Sequence, residues 1–372
     1  MWPMNSASSS QTRAGVSHAK QIAWWLTICA AMVFAMVMLG GATRLTESGL
    51  SMVEWKPLTV TPPMGDAAWQ AEFQNYQQSP QFEQKNSWMT VDDFKGIYWL
   101  EYLHRLWGRV IGMAFLLPFL WFLAKRAIDK PLAWKLAGLF FLGGAQGALG
   151  WFMVASGLES QPAVSQYRLA AHLFTALLLY AALIWTALDL FRARHYEDRA
   201  QAGNAPLARL ALALACAVVF VMVSGAFVAG LRAGLAYNTF PLMDGHLIPP
   251  GVLIIEPWYL NLFENATTVQ FDHRVLAITL LLVIAGGWMW ARRLRLTRRA
   301  RRLVHAVMAM ALLQVSLGIS TLLLVVPMPL ALAHQTGALI LFTLALCLAH
   351  TVRAPAREPG YAQVPLHVKP AE

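Results

Sequence analysis

Apolar positions run along this chain in long unbroken stretches, not in the alternation of half-buried strands or the one-sided stripes of soluble helices. A helix needs about 20 such residues to cross the roughly 30 Å hydrocarbon core of a bilayer. Eight stretches reach that length, near 21–43, 102–124, 134–155, 166–190, 207–230, 272–291, 302–325 and 329–351. The pattern predicts an all-α integral membrane protein with eight transmembrane helices. Between the first two stretches lies a long aromatic-rich outer segment, residues 44–101. There Trp69, Phe73 and Tyr76 recur at helical spacing behind Asp66, a candidate cap, which predicts a short helix lying at the membrane interface and able to lid an outward-facing pocket.

Composition strengthens this picture. The 372 residues are 58% hydrophobic and 13% charged, with a mean hydropathy of +0.49. Soluble chains carry roughly 25% charged residues, so ordinary soluble domains, disorder, coiled coils and collagen are excluded. The net charge of +10 would suit a nucleic-acid binder, but its placement points to membrane topology and lipid instead. Of the 29 Lys and Arg, 20 fall on the side of the two termini, while 13 of the 19 acidic residues fall on the other. Both termini are therefore expected in the cytoplasm, and the seven arginines from Arg292 to Arg302 read as a short cytoplasmic loop; no nucleic-acid partner is implied. The first apolar stretch lacks a cleavage site and reads as a retained helix. Cys29, Cys216 and Cys347 all lie in apolar stretches, leaving no disulfide framework and no CxxC metal site.

The chain reads twice. Glu101-Tyr-Leu-His104-Arg105 matches Gln270-Phe-Asp-His273-Arg274, Gln146 with Leu149-Gly150 matches Gln314 with Leu317-Gly318, and His172 matches His334. Upstream, Gly41-Ala42 and Gly49-Leu50 match Gly225-Ala226 and Gly234-Leu235. Two parallel four-helix-bundle repeats follow, related by an axis along the membrane normal. The expected organisation is a cytoplasmic tail (1–20), a first half (21–190), a cytoplasmic linker (191–206), a second half (207–351) and a cytoplasmic tail (352–372).

Of ten histidines, His18, His195, His305, His350 and His367 lie toward the cytoplasmic side and His246 in an outer loop. The remaining four, His104, His172, His273 and His334, each sit within about six residues of the outward end of a predicted span, at one depth. Paired imidazoles across a helical bundle hold a haem without burying charge. Zinc would want three or four converging ligands. Arg105, Arg109, Arg168, Arg232 and Arg274 lie at the level where haem propionates would project, with snorkelling to headgroups as the alternative. Gly143, Gly144, Gly147, Gly150 and Gly318 read as close helix contacts. The copies differ at Glu101, one helical turn before His104, whose counterpart is Gln270: only the first site has an ionisable carboxyl beside its metal, able to exchange protons with a bound species.

From Gly40-Gly-Ala-Thr-Arg44 to Leu50, through Glu101-Tyr-Leu-His-Arg105-Leu-Trp-Gly-Arg109, Gln146 to Leu158, and Asn238-Thr-Phe-Pro241-Leu-Met to Arg274, the sequence resembles the haem A synthases over nearly its whole length. The resemblance implies oxidation of the C8 methyl of haem O to a formyl group by successive hydroxylations and loss of water, giving haem A for terminal oxidases. It implies Glu101 as the catalytic residue, His104 and His172 as ligands of the substrate haem, and His273 and His334 as iron ligands of a haem b cofactor. Some members carry paired cysteines in outer loops; none stand there here, as in the cysteine-free proteobacterial and mitochondrial branch. A bacterial inner membrane, haem sites toward the periplasm, an electron donor, a haem O producing enzyme as neighbour, and homo-oligomers as an open alternative complete the expectation. A di-haem b-type cytochrome exchanging electrons with a quinone is the rival reading, and a two-repeat transporter a weaker one, since its site belongs at the midplane.

Overall fold

The computed structural model describes residues 7–54, 61–155, 157, 163–192 and 204–353, with the side chains from His18 onward in the first helix. Leu158, His195, His367, the linker 193–203 and the tail 354–372 lie outside the described residues.

Ten helices appear among them: α1 (Ala7–Leu45), α2 (Asp66–Gln77), α3 (Val91–Ala124), α4 (Lys130–Ala155), α5 (Gln166–Arg192), α6 (Ala205–Gly230), α7 (Asn261–Glu264), α8 (Ala266–Ala291), α9 (Arg298–Leu323) and α10 (Met328–Val352). All but α2 and α7 are long and apolar enough to span a bilayer, which matches the eight predicted spans and makes this a multi-pass membrane protein. We call the end where α1 begins inner and the end where it finishes outer.

Polar residues fix the helix starts. Asn204 and Asn265 accept hydrogen bonds from the first-turn amides of Leu207 and Thr267, and the Thr297 hydroxyl accepts from Ala300. Thr90 and Asp93 form a reciprocal capping box that starts α3 at Val91, not near 102 as the hydropathy predicts. The extra three turns, which include Asp92, Asp93 and Lys95, lie outward of the predicted span.

Those turns carry their own apolar cluster. Trp69, Phe73 and Tyr76 of α2 are buried against Phe94 and Tyr98 of α3, with ring centroids 5.0 to 6.4 Å apart. The short helix predicted at 66–77 is therefore present, but its aromatic face packs on α3 and does not face lipid. Asp66 is its first helical residue and not its cap; Gly65 precedes it, with φ +80°.

Around the membrane region α1 packs on α3 and α5, with α4 against both, while α6 packs on α8 and α10, with α9 against both; α1 and α5 meet α6 and α10. The main core is confined to the inner part of every spanning helix: Phe115 to Phe122 in α3, Leu136 and Leu139 in α4, Ala176 to Ala187 in α5, Leu280 to Ala291 in α8 and Leu339 to Val352 in α10. Each of those stretches lies inward of the histidine on its helix, or of the glycine facing it.

A layer of oriented histidines

Counted from the helix starts, His172 and His334 lie six residues in, His273 seven, and His104 thirteen, because α3 begins three turns outward of the predicted span. All four imidazoles are half-buried, in the layer where the core stops.

A glycine on a neighbouring helix faces each ring. An added Cβ would come within 3.3 Å of Cε1 of His104 at Gly40, 3.0 Å of His172 at Gly150, 3.2 Å of His273 at Gly225 and 2.8 Å of His334 at Gly318. Gly150 and Gly318 are thus close contacts with the candidate ligands themselves. Gly144 and Gly147 have nothing within 4 Å and Gly143 only Leu179, so the expected tight helix contact is absent there.

Hydroxyl groups set the tautomers. Thr43 donates its proton to the Leu39 carbonyl at 2.9 Å and Ser224 donates to Val221 at 2.8 Å. A hydroxyl has one proton, so each can only accept from the imidazole beside it: Nδ1 of His104 at 3.3 Å and Nδ1 of His273 at 2.7 Å. With Nδ1 protonated, the Nε2 lone pair is left free, as a metal ligand requires. On the partner histidines, Gln146 and Gln314 each donate to the histidine's own carbonyl at 2.9 Å and lie beside its ring, 3.5 Å from Nε2 of His172 and 3.1 Å from Nδ1 of His334. Replacing Ser224 with Ala is expected to weaken haem retention at the His273 site about 10- to 100-fold with the fold intact. Haem titration of the apoprotein measures this, and unchanged affinity would mean that the hydroxyl does not set the ring.

Glu101 is buried, 2% exposed, and its carboxylate is fully engaged. Oε2 accepts from the Ser51 hydroxyl at 2.7 Å and the Met52 amide at 2.9 Å, and Oε1 pairs with Arg105 at 2.5 Å. Arg105 also donates to the carbonyls of Met52 and Glu54. In the other copy Gln270 and Arg274 both donate to the Tyr237 carbonyl, and Arg274 also to Thr239. Both arginines therefore strap the outer segment to the helix one residue beyond a histidine. The remaining arginines divide. Arg168 donates to the Phe152 carbonyl and stacks on its ring, Arg109 borders an apolar groove with Val110, Met113 and Leu117 on the face of α3 away from His104, and Arg232 pairs with Glu47.

The donor set fits an iron porphyrin. Each group of four helices offers two imidazoles, and among the described residues no cluster of three or more His, Cys, Asp or Glu converges as zinc would need. Nδ1 of His172 and the side-chain oxygens of Gln146, Gln270 and Gln314 are buried without partners, so the layer has unspent polar capacity. Among known families, residues 23–346 match the model of the COX15-CtaA family, described as cytochrome oxidase assembly protein. The chain belongs to this family. It is 54% identical to the haem A synthase of Nitrosospira multiformis over 90% of this chain and 94% of that protein. It is 47% identical to the haem A synthase COX15 of Arabidopsis thaliana, over 92% of this chain and 77% of that one. Identity to the Paramagnetospirillum magneticum haem A synthase is 46%, covering 93% and 98%.

For this family member, sequence reasoning overlooked Thr43, Ser224, Ser51 and the Glu47–Arg232 pair. Thr43 follows Gly40 by three residues whereas Ser224 precedes Gly225 by one, so the hydroxyls do not align between the copies. Glu47 and Arg232 carried a signal that could have been used: they stand at the same offset as Gly49 and Gly234, and each adopts a left-handed backbone, φ 55° and 52°, before a short 3-10 turn.

Proposed function

We infer that this protein is a membrane oxidoreductase that converts haem O to haem A, oxidising the C8 methyl to a formyl group, for use by terminal oxidases. The carrying observation is the matched pair His104 and His273, each beside a hydroxyl, with the buried Glu101 carboxylate one turn before His104 where the second copy has the amide of Gln270. In this reading His104 and His172 hold the substrate haem, and His273 and His334 hold a resident haem b. When bound, that cofactor supplies one-electron chemistry.

The residues of the chain perform three tasks. Thr43 and Ser224 hold Nδ1 protons so that His104 and His273 present Nε2. Glu101 sits one turn before His104 and, through Ser51, Met52 and Arg105, ties the outer segment down over that histidine; it is the group placed to hold or move a proton at the substrate methyl. Arg105 and Arg274 hold the outer segments at the outer edge of each set, where they would meet the propionates of a bound haem. The excess of Lys and Arg on the inner side supports a topology with both termini in the cytoplasm of a bacterial cell and the histidine layer toward the periplasm. Two successive hydroxylations of the methyl require dioxygen as the oxidant and an electron donor to reduce its second oxygen atom to water, and the substrate must come from a haem O synthase.

Cells that make haem O but lack their own haem A synthase test this directly. Expressing the chain should convert membrane haem O to haem A, seen by chromatography. A protein that co-purifies with haem yet yields no haem A would instead be a di-haem electron carrier.

A further inference from the structure

Between α6 and α8 the outer segment contains nine consecutive uncharged residues, Leu247-Ile-Pro-Pro-Gly251-Val-Leu-Ile-Ile255. Its large side chains point outward: Leu247 is 78% exposed, Ile248 64% and Ile254 72%, with Trp258 at 61% just beyond. A soluble face rarely carries so much contiguous apolar surface.

The segment is not loose. Buried Asn261 accepts from the Ile255 amide at 3.0 Å and donates to the carbonyls of Ile255 and Trp258 at 2.7 and 2.8 Å. Buried Asn265 donates to the Gly251 carbonyl at 2.8 Å and to Asn261. The two asparagines thus satisfy backbone groups from inside, leaving hydrocarbon on the outside. A non-helical segment needs that arrangement to leave water, because lipid offers its backbone no hydrogen bonds.

Its position continues a lipid face. The Leu253 amide donates to the Thr268 hydroxyl in the first turn of α8 at 3.4 Å. Thr268, Val275 and Leu282 are spaced by seven and lie on one stripe, on which Val275, Ile278 and Leu282 are exposed apolar residues of a spanning helix. The loop therefore rests on the outer end of a stripe that already faces acyl chains.

We propose that residues 247–255 dip into the outer leaflet, with the boundary between headgroups and acyl chains as their partner and Glu256, Trp258 and Tyr259 at headgroup level. This wedge braces the outer end of α8, two turns from His273.

The test uses the full chain in vesicles of phosphatidylethanolamine and phosphatidylglycerol. In a variant lacking Cys29, Cys216 and Cys347, nitroxide labels are placed at Ile248→Cys or Ile254→Cys, with Met64→Cys as an exposed outer control. Labels at 248 and 254 should show a ratio of oxygen to nickel-chelate accessibility several-fold above that at 64. A ratio equal to the control overturns the proposal, as does shielding from both reagents, which would mean a protein partner or a second copy. If the cysteine-free chain does not bind haem, a diazirine amino acid at 248 in the native background replaces it. Crosslinks to phospholipid are expected, and crosslinks only to protein, or none, overturn the proposal.

Discussion

Glu101→Gln is expected to lower haem A formation about 10²- to 10⁴-fold, the usual worth of a positioned acid or base, while leaving haem at His273 and His334. The scaffold tolerates the amide, since Gln270 occupies the matching position of the second copy and donates to the Tyr237 carbonyl at 3.0 Å. An amide at 101 keeps an oxygen for Ser51 and Met52 but removes the charge that Arg105 meets at 2.5 Å. Glu101→Ala would lose activity and also release the outer segment, leaving Ser51, Met52 and Arg105 short of a partner at a cost of about 1–3 kcal/mol. Haem chromatography and thermal unfolding of the two variants separate chemistry from anchoring. If Glu101→Gln still makes haem A at the normal rate, the carboxyl only ties the loop.

An effect on stability of similar size is expected at the inner end, far from the four histidines of the outer layer. Asp189 of α5 accepts from His350 at 2.9 Å and pairs with Arg353, while Arg192 donates to the carbonyls of His350 and Arg353. His350 is 4% exposed, and Asp189 and Arg353 are about one-third exposed. Removing the carboxylate that meets both His350 and Arg353 leaves a buried imidazole and a guanidinium short of a partner between α5 and α10. Allowing for partial exposure, Asp189→Ala should cost about 1–3 kcal/mol, with Asp189→Asn recovering part of it. The readout is the thermal midpoint of the purified protein in detergent. An unchanged midpoint would show that this cluster does not join the two helices.

Much of the architecture was legible because bilayer crossing imposes a length on apolar runs: seven of the eight predicted spans lie within helices long enough to cross, and the eighth, 302–325, overruns α9 by two residues, where the chain turns at Leu324 and Val325. The histidine layer was legible because the repeat put residues of one type at matching helix positions in both copies. Hydropathy misplaced the start of α3 because Asp92, Asp93 and Lys95 read as loop, whereas a capping box and the packing of Phe94 and Tyr98 on α2 make them helix. Glu101 was legible as an asymmetry, but its partners were not: Ser51 and Met52 are brought to it by a turn that no periodicity encodes. Tautomer control escaped for a related reason, since Thr43 and Ser224 are ordinary helix residues until their protons are traced to the Leu39 and Val221 carbonyls.

The central claim is that the chain holds two haems in separate sites, one by His104 and His172 and one by His273 and His334. It is tested most directly by quantifying the haems that co-purify with His104→Ala and with His273→Ala. His104→Ala should lose the substrate haem and keep haem b, and His273→Ala should do the reverse. Loss of both haems in either variant, or of neither in both, would contradict it.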